Sequence, residues 1–189
     1  MYFLNKLKIT FLIIAGMAIV FTSCKKDDVD DPIIIPDTLA YAGSETCQTC
    51  HAEQYDIFIQ SGHPYKLNKI VDGMQPTIPF QTSTIPTPAC YTWDDITYMI
   101  GGYGWKARFI DANGYIMTEN ADTQYNLADG SQVAYHGSDP MGTKKYDCGK
   151  CHLTGWKTIA EGGSPQDGLP GMGGEFSEAG IHCEACHGM

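Results

Sequence analysis

Cys47-Gln48-Thr49-Cys50-His51, Cys148-Gly149-Lys150-Cys151-His152 and Cys183-Glu184-Ala185-Cys186-His187 repeat one pattern, two cysteines two residues apart and then a histidine. With 8 Cys and 6 His in 189 residues, chance order gives about one such copy per hundred chains. Three copies predict three covalently bound haem c groups. The thiols of Cys47, Cys50, Cys148, Cys151, Cys183 and Cys186 would bond the porphyrin, and His51, His152 and His187 would reach the irons from the proximal side. Two other uses of the same residues stand beside this one. Cys148/Cys151 with Cys183/Cys186 have the pairing of a tetrahedral zinc site, but that leaves Cys47 and Cys50 over. Structural disulfides suit an exported chain, but give no reason for a histidine after every second cysteine.

Export is itself an expectation from the first residues. Lys6 and Lys8 form a basic start, and Ile9 to Phe21 is an apolar run of 13 residues, too short to span a bilayer and right for a signal peptide. Phe21-Thr22-Ser23-Cys24 resembles a bacterial lipobox, which makes Cys24 the expected lipidated residue and 1–23 the removed segment. A periplasmic or cell-surface protein anchored to a membrane by lipid follows. Loss of residues 1–23 would leave 10 basic against 22 acidic residues. That balance disfavours nucleic acid and favours basic docking partners or small solutes. Cys90 is the one cysteine left without a task, expected as a buried thiol or a contact to something outside the chain.

The reading divides the rest into a flexible acidic tether over 24–44, a first haem segment and Pro-rich loop over 45–91, a β-hairpin subdomain over 92–130, and the second and third haem segments over 131–189. Tyr55, Phe58, Ile59 and His63 fall on one helical face, and Gly62 and Pro64 mark that helix's end. Pro76, Pro79, Pro86 and Pro88 exclude helix from 72–89. Ile96, Tyr98 and Ile100, then Trp105, Ala107 and Phe109, alternate with Thr97, Met99, Lys106 and Arg108, and Asn113-Gly114 predicts a hairpin turn. Six glycines and two prolines between 161 and 174 predict a loop that wraps a haem edge or covers a site. The fold class is α+β: short helices and irregular loops packed on haems, with a small inserted β-subdomain.

Three histidines remain for three irons. His63, His136 and His182 are the candidate distal ligands, with methionine sulfur the alternative donor. His63 lies twelve residues from His51, about 18 Å if helical. It is therefore expected to serve a neighbouring haem, unless the helix breaks.

Tyr55 with Ser61-Gly62-His63, then Tyr146 through Trp156 and Gly180 through Gly188, resemble segments of a multihaem cytochrome c family. That family includes the tetrahaem electron acceptor of hydroxylamine oxidoreductase. The resemblance implies closely packed, mostly bis-histidine haems passing electrons between proteins, with His63 a distal ligand. It departs in having three attachment sites, and the chain stops two residues after His187, which is consistent with a fragment of a longer cytochrome. The expected role is membrane-tethered electron transfer in a respiratory chain, between a quinol-linked donor and a terminal acceptor. The alternative is part of a multihaem reductase or oxidase for nitrogen or sulfur oxyanions, which needs an open iron and cationic groups beside it.

Overall fold

The computed structural model describes residues 40–188. The leader, Cys24 and most of the acidic tether lie outside the described residues, and among those described no helix is long and apolar enough to cross a membrane. Four short helices carry the attachment motifs or follow them: α1 (Ser44–Gln48), α2 (Ala52–Ile59), α3 (Gly149–His152) and α4 (Cys183–His187). Among the described residues seven strands make two sheets. The larger runs in simple order β1 (Leu67–Lys69), β2 (Ile96–Gly101), β3 (Lys106–Asp111), β4 (Gln124–Asn126) and β5 (Gln132–Val133), all antiparallel. The smaller pairs β6 (Lys157–Thr158) with β7 (Gly174–Glu175).

The large sheet is buried on both faces. Tyr98, Ile100 and Ile110 meet Leu67, Ile116, Tyr146, Leu153 and Met172 on one side. Met99, Ala107 and Phe109 meet Ile78, Ile85, Ile96 and Met117 on the other. A register shift between Ile96 and Tyr98 puts Ile96 with Met99 rather than with its alternation partners, as an extra residue in a strand must. The Pro-rich loop supplies Ile78 and Ile85 to that second cluster, so it is extended, as expected, and packed. The sheet also reaches past 92–130 on both sides, taking β1 from the first haem segment and β5 from beyond Gly130.

Three expectations need correction. The helix after the first motif ends at Ile59, and His63 instead precedes a 3-10 turn at Pro64–Lys66. Its last carbonyls are captured from outside: Tyr65 Oη donates to Ile59 O at 2.8 Å and Tyr103 Oη to Gln60 O at 2.6 Å, which satisfies the terminal acceptors and stops propagation. The long hairpin turns at 102–105, between β2 and β3. Asn113-Gly114 does turn the chain, with Asp111 Oδ1 accepting from Asn113 N and Tyr115 N at 2.9 Å. Its returning arm pairs back at Ile110–Ile116, where Asp111 N donates to Tyr115 O and Met117 N to Phe109 O, and outward at Tyr115–Lys145. Cys90 is exposed, at the apex of a turn closed by Tyr91 N donating to Pro88 O at 3.0 Å.

The glycine-rich loop lies against the sheet. Gly171 N donates to Asn113 O and accepts, through its carbonyl, from Tyr146 N, both at 2.9 Å. A Cβ on Gly171 would meet the Gly114–Tyr115 backbone at 2.3 Å, so only glycine permits this approach. Asp167 of the loop accepts from Lys69 Nζ at 2.8 Å and from the buried Tyr98 hydroxyl.

Candidate haem-binding site

Long-range polar contacts bring the first and third motifs together. Glu184, a spacer residue of the third motif, accepts from the backbone N–H groups of Ala42 and Gly43, both at 2.9 Å. Glu178 accepts from Ser44 N at 3.0 Å. The buried Ser44 hydroxyl accepts in turn from Cys183 N at 3.2 Å. Carboxylates at the start of α1 suit its exposed N–H groups. The result places the Cys47 and Cys183 thiols side by side. Burial first, and then the Cys183 thiol, push Cys47 above its ordinary value.

Between these motifs lies a cavity of about 760 Å³, lined by Cys47, His51, Tyr55, Phe58, His63, His182, Cys183, Cys186 and His187. A cofactor pocket has about this size, roughly 300–1,000 Å³. A second cavity, about 340 Å³, separates the third motif from the second and is lined by Lys150, Cys151, Trp156, Ile181, Glu184 and Cys186 among others. In space the order is therefore first, third, second. α4 stands between the other two motifs.

The second motif is held by its spacer glycine and a tryptophan. A Cβ on Gly149 would lie 2.0 Å from the Trp156 ring, and Trp156 stands edge-on to buried Tyr146 at 6.2 Å. The Nδ1 of His152 is buried with no hydrogen-bond partner. Burial, then Lys66 and Arg108, hold this imidazole below its ordinary value and keep it neutral, the form that ligates a metal.

The three spare histidines are held differently. His63 is exposed at the rim of the large cavity, its Nδ1 at 3.3 Å from Ser61 Oγ, which leaves Nε2 without a partner among the described residues. The backbone around it is clamped: Ile181 N donates to His63 O at 3.0 Å, and Gly62 packs on the Tyr103 ring. His182 lines the same cavity, but Nδ1 meets Ser44 Oγ at 3.0 Å and Glu178 at 3.2 Å, while Nε2 meets Ala179 O at 3.1 Å. Both of its ring nitrogens are engaged. His136 sits away from that cavity, with Nδ1 on Asp139 at 3.0 Å and its ring against Tyr135.

These donor sets fit covalent haem c. Each motif offers two free thiols followed by a histidine, and α2 exposes an apolar side without burying a single residue. His152 leaves a buried ring nitrogen unpaired. Among the described residues no three Cys, His, Asp or Glu side chains lie together as a metal site requires. The described cysteines are free thiols. Reading by pattern alone missed Ser44, Glu178, Glu184 and Tyr103. Only Glu184, inside a motif, carried any signal in its position.

Residues 112–188, about two-fifths of the chain, match the family described as cytochrome c554 and c-prime. The matched part holds the second and third motifs and His136. The structure is similar to part of an undecahaem cytochrome from the S-layer of Carboxydothermus ferrireducens, with 24% identity and a TM-score of 0.52 over 83% of this chain and 22% of that one. It is similar also to the outer cell wall cytochrome OcwA, at 18% identity and a TM-score of 0.47, over 78% of this chain and 31% of that one. The chain thus spans less than a third of either structure's length. No curated protein is significantly similar to it. The family match, together with the fold shared with the undecahaem protein, supports a multihaem c-type cytochrome.

Proposed function

We propose that this chain carries three haem c groups and relays single electrons between partner proteins, a quinol-linked donor and a terminal acceptor, while held by a lipid on Cys24 outside the cytoplasmic membrane. One observation carries the reading. The third motif borders both cavities and so links the first motif to the second. Haem c, when bound, supplies a reversible one-electron iron couple.

The chain's own residues position that couple. Glu184, Glu178 and Ser44 fix the first and third motifs against each other, and Trp156 seats the second. His51, His152 and His187 are assigned as proximal ligands. His63, with a free Nε2 and an orienting serine, fits an axial ligand to either haem of the large cavity. His136, with Asp139 on its Nδ1, has the carboxylate partner common behind ligating histidines. His182 is assigned to structure, because both its nitrogens are already used. The family match and the electron-transfer character of c-type cytochromes support a carrier over an enzyme.

The oxyanion-reductase alternative needs an open iron with cationic groups beside it. Carbon monoxide binding and turnover together separate the two readings. Added to the dithionite-reduced holo-protein, carbon monoxide should reach only the one iron that His63 and His136 leave without a distal histidine, and nitrite and hydroxylamine should not be consumed with reduced dye as donor. Strong carbon monoxide binding with sustained nitrite or hydroxylamine turnover would replace the carrier with the enzyme.

A further inference from the structure

Tyr146 is fully buried, yet its hydroxyl has no hydrogen-bond partner among the described residues. The backbone beneath it is clamped: Tyr146 N donates to Gly171 O at 2.9 Å, and Gly173 N donates to Tyr146 O at 3.0 Å. The ring stands edge-on to Trp156 at 6.2 Å, in a cluster with Leu67, Ile116, Leu153 and Met172. Phenylalanine would fill the same space without the cost of an unpaired buried hydroxyl. Elsewhere the fold pairs such groups. Tyr65, Tyr98 and Tyr103 donate their hydroxyls to Ile59 O, Asp167 and Gln60 O.

A second atom at the same motif is unpaired in the same way. His152 Nδ1 and Tyr146 Oη are two of the three buried side-chain polar atoms without a partner among the described residues. The third, Asp122 Oδ1, belongs to another loop. Tyr146 and His152 lie six positions apart, at the two ends of the segment that carries the second motif. Leu153, the residue after His152, packs in the Tyr146 cluster. Trp156 stands against both the Tyr146 ring and Gly149 of α3. With Nε2 turned to the iron, the neutral imidazole carries its proton on Nδ1. That N–H needs an acceptor, and polar atoms too far apart for a direct bond are commonly joined by one water.

We propose that Tyr146 is a positioning residue for His152, its hydroxyl and His152 Nδ1 holding one buried water between them. The water accepts from Nδ1–H and donates to Tyr146 Oη. This fixes the imidazole plane and strengthens Nε2 as a donor to ferric iron. The proposal rests on the haem reading and names what sets the potential of the second haem.

The test compares the wild-type holo-protein with Tyr146→Phe and with a control, Tyr98→Phe, whose hydroxyl serves Asp167 instead. Haem stoichiometry is measured first; fewer than three haems in the wild type defeats the haem reading and the proposal with it. Tyr146→Phe keeps three haems and raises one midpoint, so that the ferrous-to-ferric ratio of that haem at fixed potential increases about tenfold. The electron paramagnetic resonance g-values of the same ferric haem shift, and those of the other two do not. Tyr98→Phe lowers the melting temperature and leaves every midpoint in place. A crystal structure of the holo-protein shows one water within about 3.2 Å of both atoms. Unchanged midpoints in Tyr146→Phe, an equal rise in Tyr98→Phe, or no water shared by the two atoms overturns the proposal.

Discussion

His63 and His182 face one cavity, yet only His63 has a ring nitrogen to spare. His63→Met should therefore keep all three haems, since the thioether bonds do not depend on it, and raise one midpoint, because thioether is the weaker donor to ferric iron. Potentiometric titration and the low-spin spectrum check this; curves identical to wild type would remove His63 from the iron. Asp167 offers a test at a residue outside the attachment motifs. Hydrogen bonds from Lys69 and Tyr98 hold its carboxyl below the usual range. A depressed carboxylate contributes stability that is present above its unfolded pKa, about 3.9, and is lost as pH falls through the lower folded value. Asp167→Asn should cost about 1–3 kcal/mol at pH 7. The difference between variant and wild type should shrink below about pH 4 in denaturant melts.

The helix after the first motif shows which parts of an element pattern can reveal. Tyr55 and Phe58 do face the cavity as their spacing indicates, and Gly62 does lie near the break. The stop four residues before His63 comes from Tyr65 and Tyr103, whose hydroxyls take the last carbonyls. Tyr103 reaches them from the β2–β3 turn, 43 positions away from Gln60. No local window contains that information. The strands were legible from alternation, but their burial on both faces was not, because the second face is filled by Ile78 and Ile85 from a loop with no periodicity. The attachment motifs could be read in full. Their spatial order could not, because it is set by Glu178 and Glu184 contacting residues 134 to 142 positions earlier. At this scale the second motif is the most sensitive to a small change. Gly149→Ala would force a methyl group into the Trp156 ring, and overpacking of this kind costs about 1–3 kcal/mol. The variant should lose stability, and holo-protein should be recovered with one haem fewer. Full haem content and an unchanged melting temperature would show that Trp156 yields without consequence.

Across the whole molecule, contacts between distant segments bring the first and third motifs together. Glu184 borders the cavity that these two motifs share, and Glu178 accepts from Ser44 N. All of this depends on the porphyrins being covalently present. Intact-mass measurement with a pyridine haemochrome assay, on the chain expressed with haem-attachment machinery, tests that dependence most directly. The account predicts a mass increment of three haems and a haemochrome of the thioether-linked type; a mass carrying zinc or no added haem would contradict it.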